Sequence, residues 1–335
     1  MIYNVLKMTN TSDIEWSTEI GYSTIRVEET RIVTGLTGNI YYCNENIIGK
    51  IDDNGNILSS FNINTVNGTT GYEVRAIALD RNENILYYYA SASYNSSGTL
   101  YKITTDLDTG NNQACGTFGS GVGSIKIDVY GNVWLDSVNS TSAIYHYNVE
   151  TNININRTAW YMNTICDWRG FMWQMRSNNE QTFERIWENG GTIYMSSPTI
   201  SSDVKSYIQD GITTKKTSNL YLLKNNILAT TTPCTIYRIN IADYNSPVLE
   251  QSITLTYDGT DLCDCYGLGI DHNNERLYFS SFDTKNIFYF DMNETTGELS
   301  TTPTIFKAGV ATKSTFCDFN CHYLSKWGHT GSNYS

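Results

Sequence analysis

Seven recurrences of one strand–turn–strand pattern, a nearly regular interval between them and a composition rich in strand formers predict an all-β chain. The expected architecture is a seven-bladed β-propeller with four-stranded blades. Each copy reads as a short apolar strand ending in Asp, a polar turn, a second strand carrying an aromatic residue, and then a third strand. Five clear copies occupy residues 77–80 with 85–87, 125–128 with 132–134, 165–167 with 171–173, 268–271 with 276–278, and 316–318 with 322–324. Two looser copies lack the Asp, at 31–34 with 39–41 and at 221–224 with 227–228. Anchors near 34, 80, 128, 167, 224, 271 and 318 are spaced by 46, 48, 39, 57, 47 and 47 residues. That is the period of four-stranded propeller blades.

The third strands follow at 46–51, 99–103, 143–147, 183–187, 235–239 and 286–290, most of them running into turns rich in Asp, Asn and Gly. The whole chain, 1–335, reads as one domain with blades at about 25–64, 71–118, 121–160, 161–200, 215–257 and 263–307. The seventh blade combines 313–327 with 1–20, so that N-terminal strands close the last blade and no edge is left open. Residues four before the anchors are nearly all small (Ala76, Ser124, Asn163, Gly267 and Ser314), as innermost strands crowded around an axis require.

The runs 123–134 and 266–271, with Ile125, Ile127, Asp128, Gly131, Trp134, Leu268, Ile270 and Asp271, give the chain a resemblance to the NHL and YVTN-type β-propellers. The resemblance spans nearly the whole chain but is one of fold. Propellers of this kind include scaffolds, ligand binders, lactone hydrolases and lyases, so it does not fix a function. There is no Trp-Asp repeat, no recurring Gly-Gly pair and no sialidase-type Asp box.

The composition narrows the classes. Thirty-four acidic against 22 basic residues leave a net charge of −12, which disfavours a general nucleic-acid binder. No run nears the roughly 18–20 apolar residues of a membrane span, and no signal peptide is read at the N-terminus. The eight cysteines are expected to be reduced thiols. Cys166 and Cys317 fall in the apolar column and read as core. The blade register places Cys263 and Cys265 a strand length from Cys321, against a zinc site. The loop Asp106-x-Asp108-x-Gly110 lacks the closing Glu of a calcium loop and reads as a turn.

Five anchors, Asp80, Asp128, Asp167, Asp271 and Asp318, look at first like an acidic site. Their repetition favours a structural task, an aspartate bonding the backbone of the turn that follows it. At the inner-strand starts, Arg75, Tyr266 and Lys313, with Lys126 further in, are the candidate channel-mouth binding residues. The weightier reading of the basic ones is salt-bridging between blades. His146 reads as half-exposed and His272 as a surface residue. No catalytic residue, metal or cofactor is expected.

The leading expectation is a non-enzymatic structural or binding propeller, a bacteriophage virion component such as a tail or capsid appendage. Its partners would be other virion or scaffold proteins or a host-surface glycan, with no nucleic acid and no membrane insertion. The virion analogy rests on turns dominated by Ser, Thr, Asn, Gly and Tyr. The alternatives are a propeller hydrolase or lyase acting on a sugar, lactone or polysaccharide, and an intracellular interaction scaffold.

Overall fold

The computed structural model describes residues 2–8, 14–22, 32–35, 37–80, 82–93, 96–119, 121–137, 143–158, 164–175, 183–200, 208–225 and 232–309. Within them the regular structure is strand apart from the short helix Ile63–Asn67 and the helical turn Thr109–Asn111. Six four-stranded antiparallel sheets follow one another, each with its strands in sequence order. Sheet 1 is Ile32–Thr34, Ile40–Asn44, Ile47–Ile51 and Ile57–Asn62. Sheet 2 is Glu73–Leu79, Ile85–Ser91, Gly98–Thr104 and Gln113–Phe118. Sheet 3 is Val122–Ile127, Val133–Ser137, Ala143–Asn148 and Ile153–Thr158. Sheet 4 is Ile165–Cys166, Met172–Met175, Phe183–Asn189 and Thr192–Ser196. Sheet 5 is Ile208–Thr214, Asn219–Lys224, Thr235–Asn240 and Val248–Thr254. Sheet 6 is Cys265–Asp271, Arg276–Ser281, Asn286–Asp291 and Thr304–Lys307. Sheets 1–3 and the N-terminal hairpin belong to one compact unit, and sheets 4–6 to a second.

Seven four-stranded sheets were expected, and six are present among the described residues. The expected seventh combined 313–327 with 1–20. Residues 310–335, including Lys313, Asp318, Cys317 and Cys321, lie outside the described residues. Of that sheet the structure describes Ile2–Met8 and Ile14–Tyr22, which pair antiparallel with each other as a two-stranded sheet. Thr18 Oγ1 in this hairpin donates to the Gly55 carbonyl of sheet 1 at 2.6 Å.

A second difference concerns sheet 5, expected to begin at 215 with Tyr221 in its first strand. Its first strand is instead Ile208–Thr214, and Tyr221 lies in the second. The aromatic residue marks second strands, and Tyr221 obeys that rule. The long interval therefore falls later, between Thr214 and Asp271, where an extra hairpin pairs Thr256–Tyr257 with Thr260–Asp261.

Burial falls from first strand to fourth. Val122–Ile127 and Cys265–Asp271 are buried at every residue, whereas Ile57–Asn62 and Val248–Thr254 are mostly exposed or half-buried. First strands face neighbours on both sides, so Val122–Ile127 and Cys265–Asp271 are buried on both faces rather than alternately. Apolar layers fill the spaces between sheets 1 and 2 and between sheets 4 and 5. Val33, Tyr41 and Ile48 meet Ile77, Leu79 and Leu86 between sheets 1 and 2. Ile165, Trp173 and Phe183 meet Leu220, Leu222 and Ile239 between sheets 4 and 5. Each such side chain contributes about 1.5–3 kcal/mol of burial.

Candidate functional site

The aromatic residue of each second strand stands directly opposite a residue of the third. The pairs are Tyr41 with Lys50, Tyr87 with Lys102, Trp134 with His146, Trp173 with Arg185, Tyr221 with Arg238 and Tyr278 with Tyr289. Five of the six place a basic side chain across from the ring, on the same sheet face. This column explains why a polar residue recurs in otherwise apolar third strands.

The repeated carboxylates lie at the turns joining first and second strands. Asp128, 2% exposed, accepts at Oδ1 from the amides of Tyr130 and Asn132, both at 2.9 Å, and at Oδ2 from Trp134 Nε1 at 2.9 Å. Asp167 repeats the arrangement with the amides of Arg169 and Phe171 and with Trp173 Nε1 at 2.9 Å. Asp80 accepts from the amides of Asn84 and Ile85, both at 2.7 Å. Asp271 accepts from those of Asn273 and Asn274. At Asp128 and Asp167 both carboxylate oxygens are engaged in this way, which leaves little capacity for a substrate. Burial raises the Asp128 carboxyl above its ordinary range despite these bonds. His146 was expected to be half-exposed, yet it is 1% exposed. Its ring packs edge-on against Trp134 at 4.5 Å, with Nε2 3.9 Å from Asp128 Oδ2. His272, expected at the surface, is half-buried, and burial with Lys216 nearby pushes its imidazole down to about 4.

The candidate channel-mouth residues are largely enclosed. Arg75, Lys126 and Tyr266 are 8%, 3% and 2% exposed. Arg75 pairs with Glu73 of its own strand at 2.8 Å and bonds Ser91 Oγ. Lys126, expected further in along its strand, stands across from Trp134 in line with His146. The Asp106–Gly110 segment is a turn. Asp106 accepts from Thr104 Oγ1 and the Asp108 amide, and Asp108 caps the short helical turn Thr109–Asn111. Among the described residues no group of three or more His, Cys, Asp or Glu side chains stands close enough to hold a metal ion.

A different surface emerges at the rim between sheets 4 and 5. The Arg185 guanidinium lies over three rings, 4.3 Å from Tyr244, 4.7 Å from Trp187 and 4.8 Å from Phe171. Its Nη1 donates to the Tyr244 carbonyl and to Asn245 Oδ1. Trp187 stacks on Tyr194 of the next strand at 5.7 Å. Arg169, tied to Asp167 at 2.7 Å, lies over Trp168 and reaches the Ala242 carbonyl of sheet 5. Tyr194 and Tyr244 remain 42% and 38% exposed. Each guanidinium–ring contact contributes about 0.5–2 kcal/mol, so Arg185 ties the rings of sheets 4 and 5 together. Sequence reading missed it because Arg185 and Tyr244 are far apart in the chain. The one available signal was Arg185 at the basic position of the column.

No family model matches the chain, and no curated protein matches it. Solved structures do. A hypothetical selenium-binding protein from Sulfolobus tokodaii aligns with a TM-score of 0.65 at 10% identity, covering 100% of this chain and 92% of that one. The Cps50 (Swd1) β-propeller domain of Myceliophteria thermophila aligns with a TM-score of 0.60 at 8% identity, covering 97% and 94%. A putative 6-phosphogluconolactonase from Bacteroides fragilis aligns with a TM-score of 0.56 at 12% identity, covering 91% and 98%. Similarity at these identities shows the fold alone. It is an all-β propeller, with six four-stranded blades among the described residues.

Proposed function

We propose that the chain is a non-enzymatic binding or structural propeller, a component of a bacteriophage particle that docks on other virion proteins or contacts the host surface. The observation that carries the binding reading is the rim of sheets 4 and 5. Trp, Tyr and Arg side chains dominate binding hot spots because they bring large contact areas at little conformational cost. Here they are held in place before any partner arrives, by Arg185 between Tyr244 and Trp187. The carboxylates of Asp128 and Asp167 favour the same reading, since one oxygen serves the turn backbone and the other an indole N–H. The particle assignment is supported by the Ser-, Thr-, Asn-, Gly- and Tyr-rich turns. In this reading the hairpin Ile2–Met8 with Ile14–Tyr22 supplies the outer strands of a seventh blade, completed by 313–327.

Quantitative mass spectrometry of purified particles is the test. The reading expects the chain at a fixed copy number per particle, and expects Tyr194→Ala to reduce incorporation far beyond what the small loss of its stacking on Trp187 does to the melting temperature. Absence from particles together with turnover of a lactone or glycoside would overturn it.

A further inference from the structure

Cys234 and Cys265 lie side by side where sheet 5 approaches sheet 6, with Cys263 two residues away in the chain. The Leu262 carbonyl accepts the backbone N–H of Cys234 at 2.8 Å and faces Cys265 Sγ at 4.0 Å, so one oxygen touches both residues. Cys234 is further fixed by the Leu255 amide, which donates to its carbonyl at 2.8 Å, while the Leu262 amide donates to Leu255. The inserted hairpin is thus closed onto Cys234. Cys234 and Cys265 are both fully buried and both free thiols. Cys263, two residues from Cys265, is half-buried, with Sγ 3.9 Å from the Asp261 carbonyl and its amide bonded to Asp283 Oδ2.

We propose that Cys234 and Cys265 are a site of disulfide formation, reached by exchange with a low-molecular-weight disulfide such as glutathione disulfide through Cys263 as the entry thiol. The Cys263 thiolate attacks glutathione disulfide, forming a mixed disulfide and releasing one glutathione. The Cys234 thiolate then attacks the Cys263 sulfur and releases the second glutathione. Cys265 attacks Cys234, restoring the Cys263 thiol and leaving the Cys234–Cys265 bond. The sum is one glutathione disulfide reduced, two protein thiols oxidised and two protons carried off as two glutathione thiols. Exchange needs a thiolate and an open path to it, and Cys263 is the accessible member. Burial and the surrounding acids Asp283, Asp261 and Asp264 raise the Cys263 thiol, and burial and Cys234 raise that of Cys265. The reduced form therefore persists under mild conditions and exchange is slow. The bond would join the start of the third strand of sheet 5 to the first strand of sheet 6 and pin the hairpin between them.

The full chain, reduced and then incubated with excess glutathione disulfide, is alkylated and digested. The expected result is a loss of two mass units, a peptide pair linking Cys234 to Cys265, and a melting temperature higher by about 5 °C. Cys263→Ser is expected to slow formation at least about tenfold while leaving the product unchanged. Cys265→Ala, whose fold is checked by circular dichroism, is expected to abolish that linkage. Free thiols at both positions after long incubation would overturn the proposal, as would linkage forming at the same rate in Cys263→Ser.

Discussion

Glu83, at the first turn of sheet 2, occupies the place of a side chain that Gly35 lacks. The turns at Asp52, Asp128 and Asp167 share one backbone pattern. The Asp amide donates to the carbonyl four residues on, and a glycine amide three residues on donates back to the Asp carbonyl. Gly55, Gly131 and Gly170 adopt φ near +86° there, which only glycine does without strain. The turn at Gly35 has the same backbone bonds, with Gly38 in the glycine role, but no carboxylate of its own. Glu83 supplies one, accepting from the Thr37 amide at 3.0 Å and from Thr37 Oγ1 at 2.9 Å. A Cβ placed on Gly35 would fall 1.8 Å from Glu83 Oε1. The carboxylate is required by the turn, and the fold delivers it from the neighbouring sheet.

Trp134→Phe removes the indole N–H that Asp128 Oδ2 accepts at 2.9 Å and leaves a buried charged acceptor short of a donor. The expected cost is about 1.5–3 kcal/mol, read as a lower midpoint in urea with an unchanged slope. Trp173→Phe is expected to cost a similar amount through Asp167.

Burial raises the Asp128 carboxyl, so the native state holds that proton more tightly than the unfolded chain does. A raised folded pKa contributes stability that is fully present below the unfolded value and is lost as pH rises through the folded value. The stability of the native chain relative to Asp128→Asn is therefore expected to increase as pH falls from 7 toward 4. Denaturant titrations of both proteins across that range check the sign.

His272 behaves in the opposite sense. Its imidazole is pushed down to about 4 from an ordinary value of 6.5, so its stability contribution is present above pH 6.5 and is lost as pH falls from 6.5 to 4. The full effect is up to about 3 kcal/mol. His272→Gln is expected to flatten the acid limb of the melting-temperature profile within that window and to leave the profile above pH 7 unchanged.

At the rim, Arg185→Met keeps the length of the side chain but removes the charge from among Tyr244, Trp187 and Phe171. It is expected to lower stability by about 1–3 kcal/mol and to free the turn at 242–246, since Arg185 Nη1 no longer holds the Tyr244 carbonyl. Amide exchange in that turn is the readout, with faster exchange expected there and no change in sheet 6.

The fold class and the repeat were legible because strand, turn and aromatic recur at fixed offsets. Tyr221 shows the limit of the pattern. Without an Asp in its copy, the preceding strand Ile208–Thr214 had no marker, and 221–224 reads as the first strand rather than the second, although the third strand at 235–239 falls in place. His146 alternates with tyrosines and so reads as half-exposed, but the neighbouring indole and carboxylate enclose it. The Arg185 rim and the Glu83 clamp were hidden for another reason. Each joins residues from different sheets, Arg185 with Tyr244 and Glu83 with Thr37, and no local pattern in the sequence encodes such a pairing.

The central claim is that the recurring carboxylate is a clamp on the turn, and a double-mutant cycle at Gly35 and Glu83 tests it most directly. Gly35→Asp alone is expected to destabilise by crowding Glu83, and Glu83→Ala alone by stripping the turn, each by about 1–3 kcal/mol. The combined Gly35→Asp/Glu83→Ala protein, with the carboxylate restored within the turn itself, is expected to recover to within about 0.5 kcal/mol of the native chain. Losses that simply add in the double variant would contradict the account.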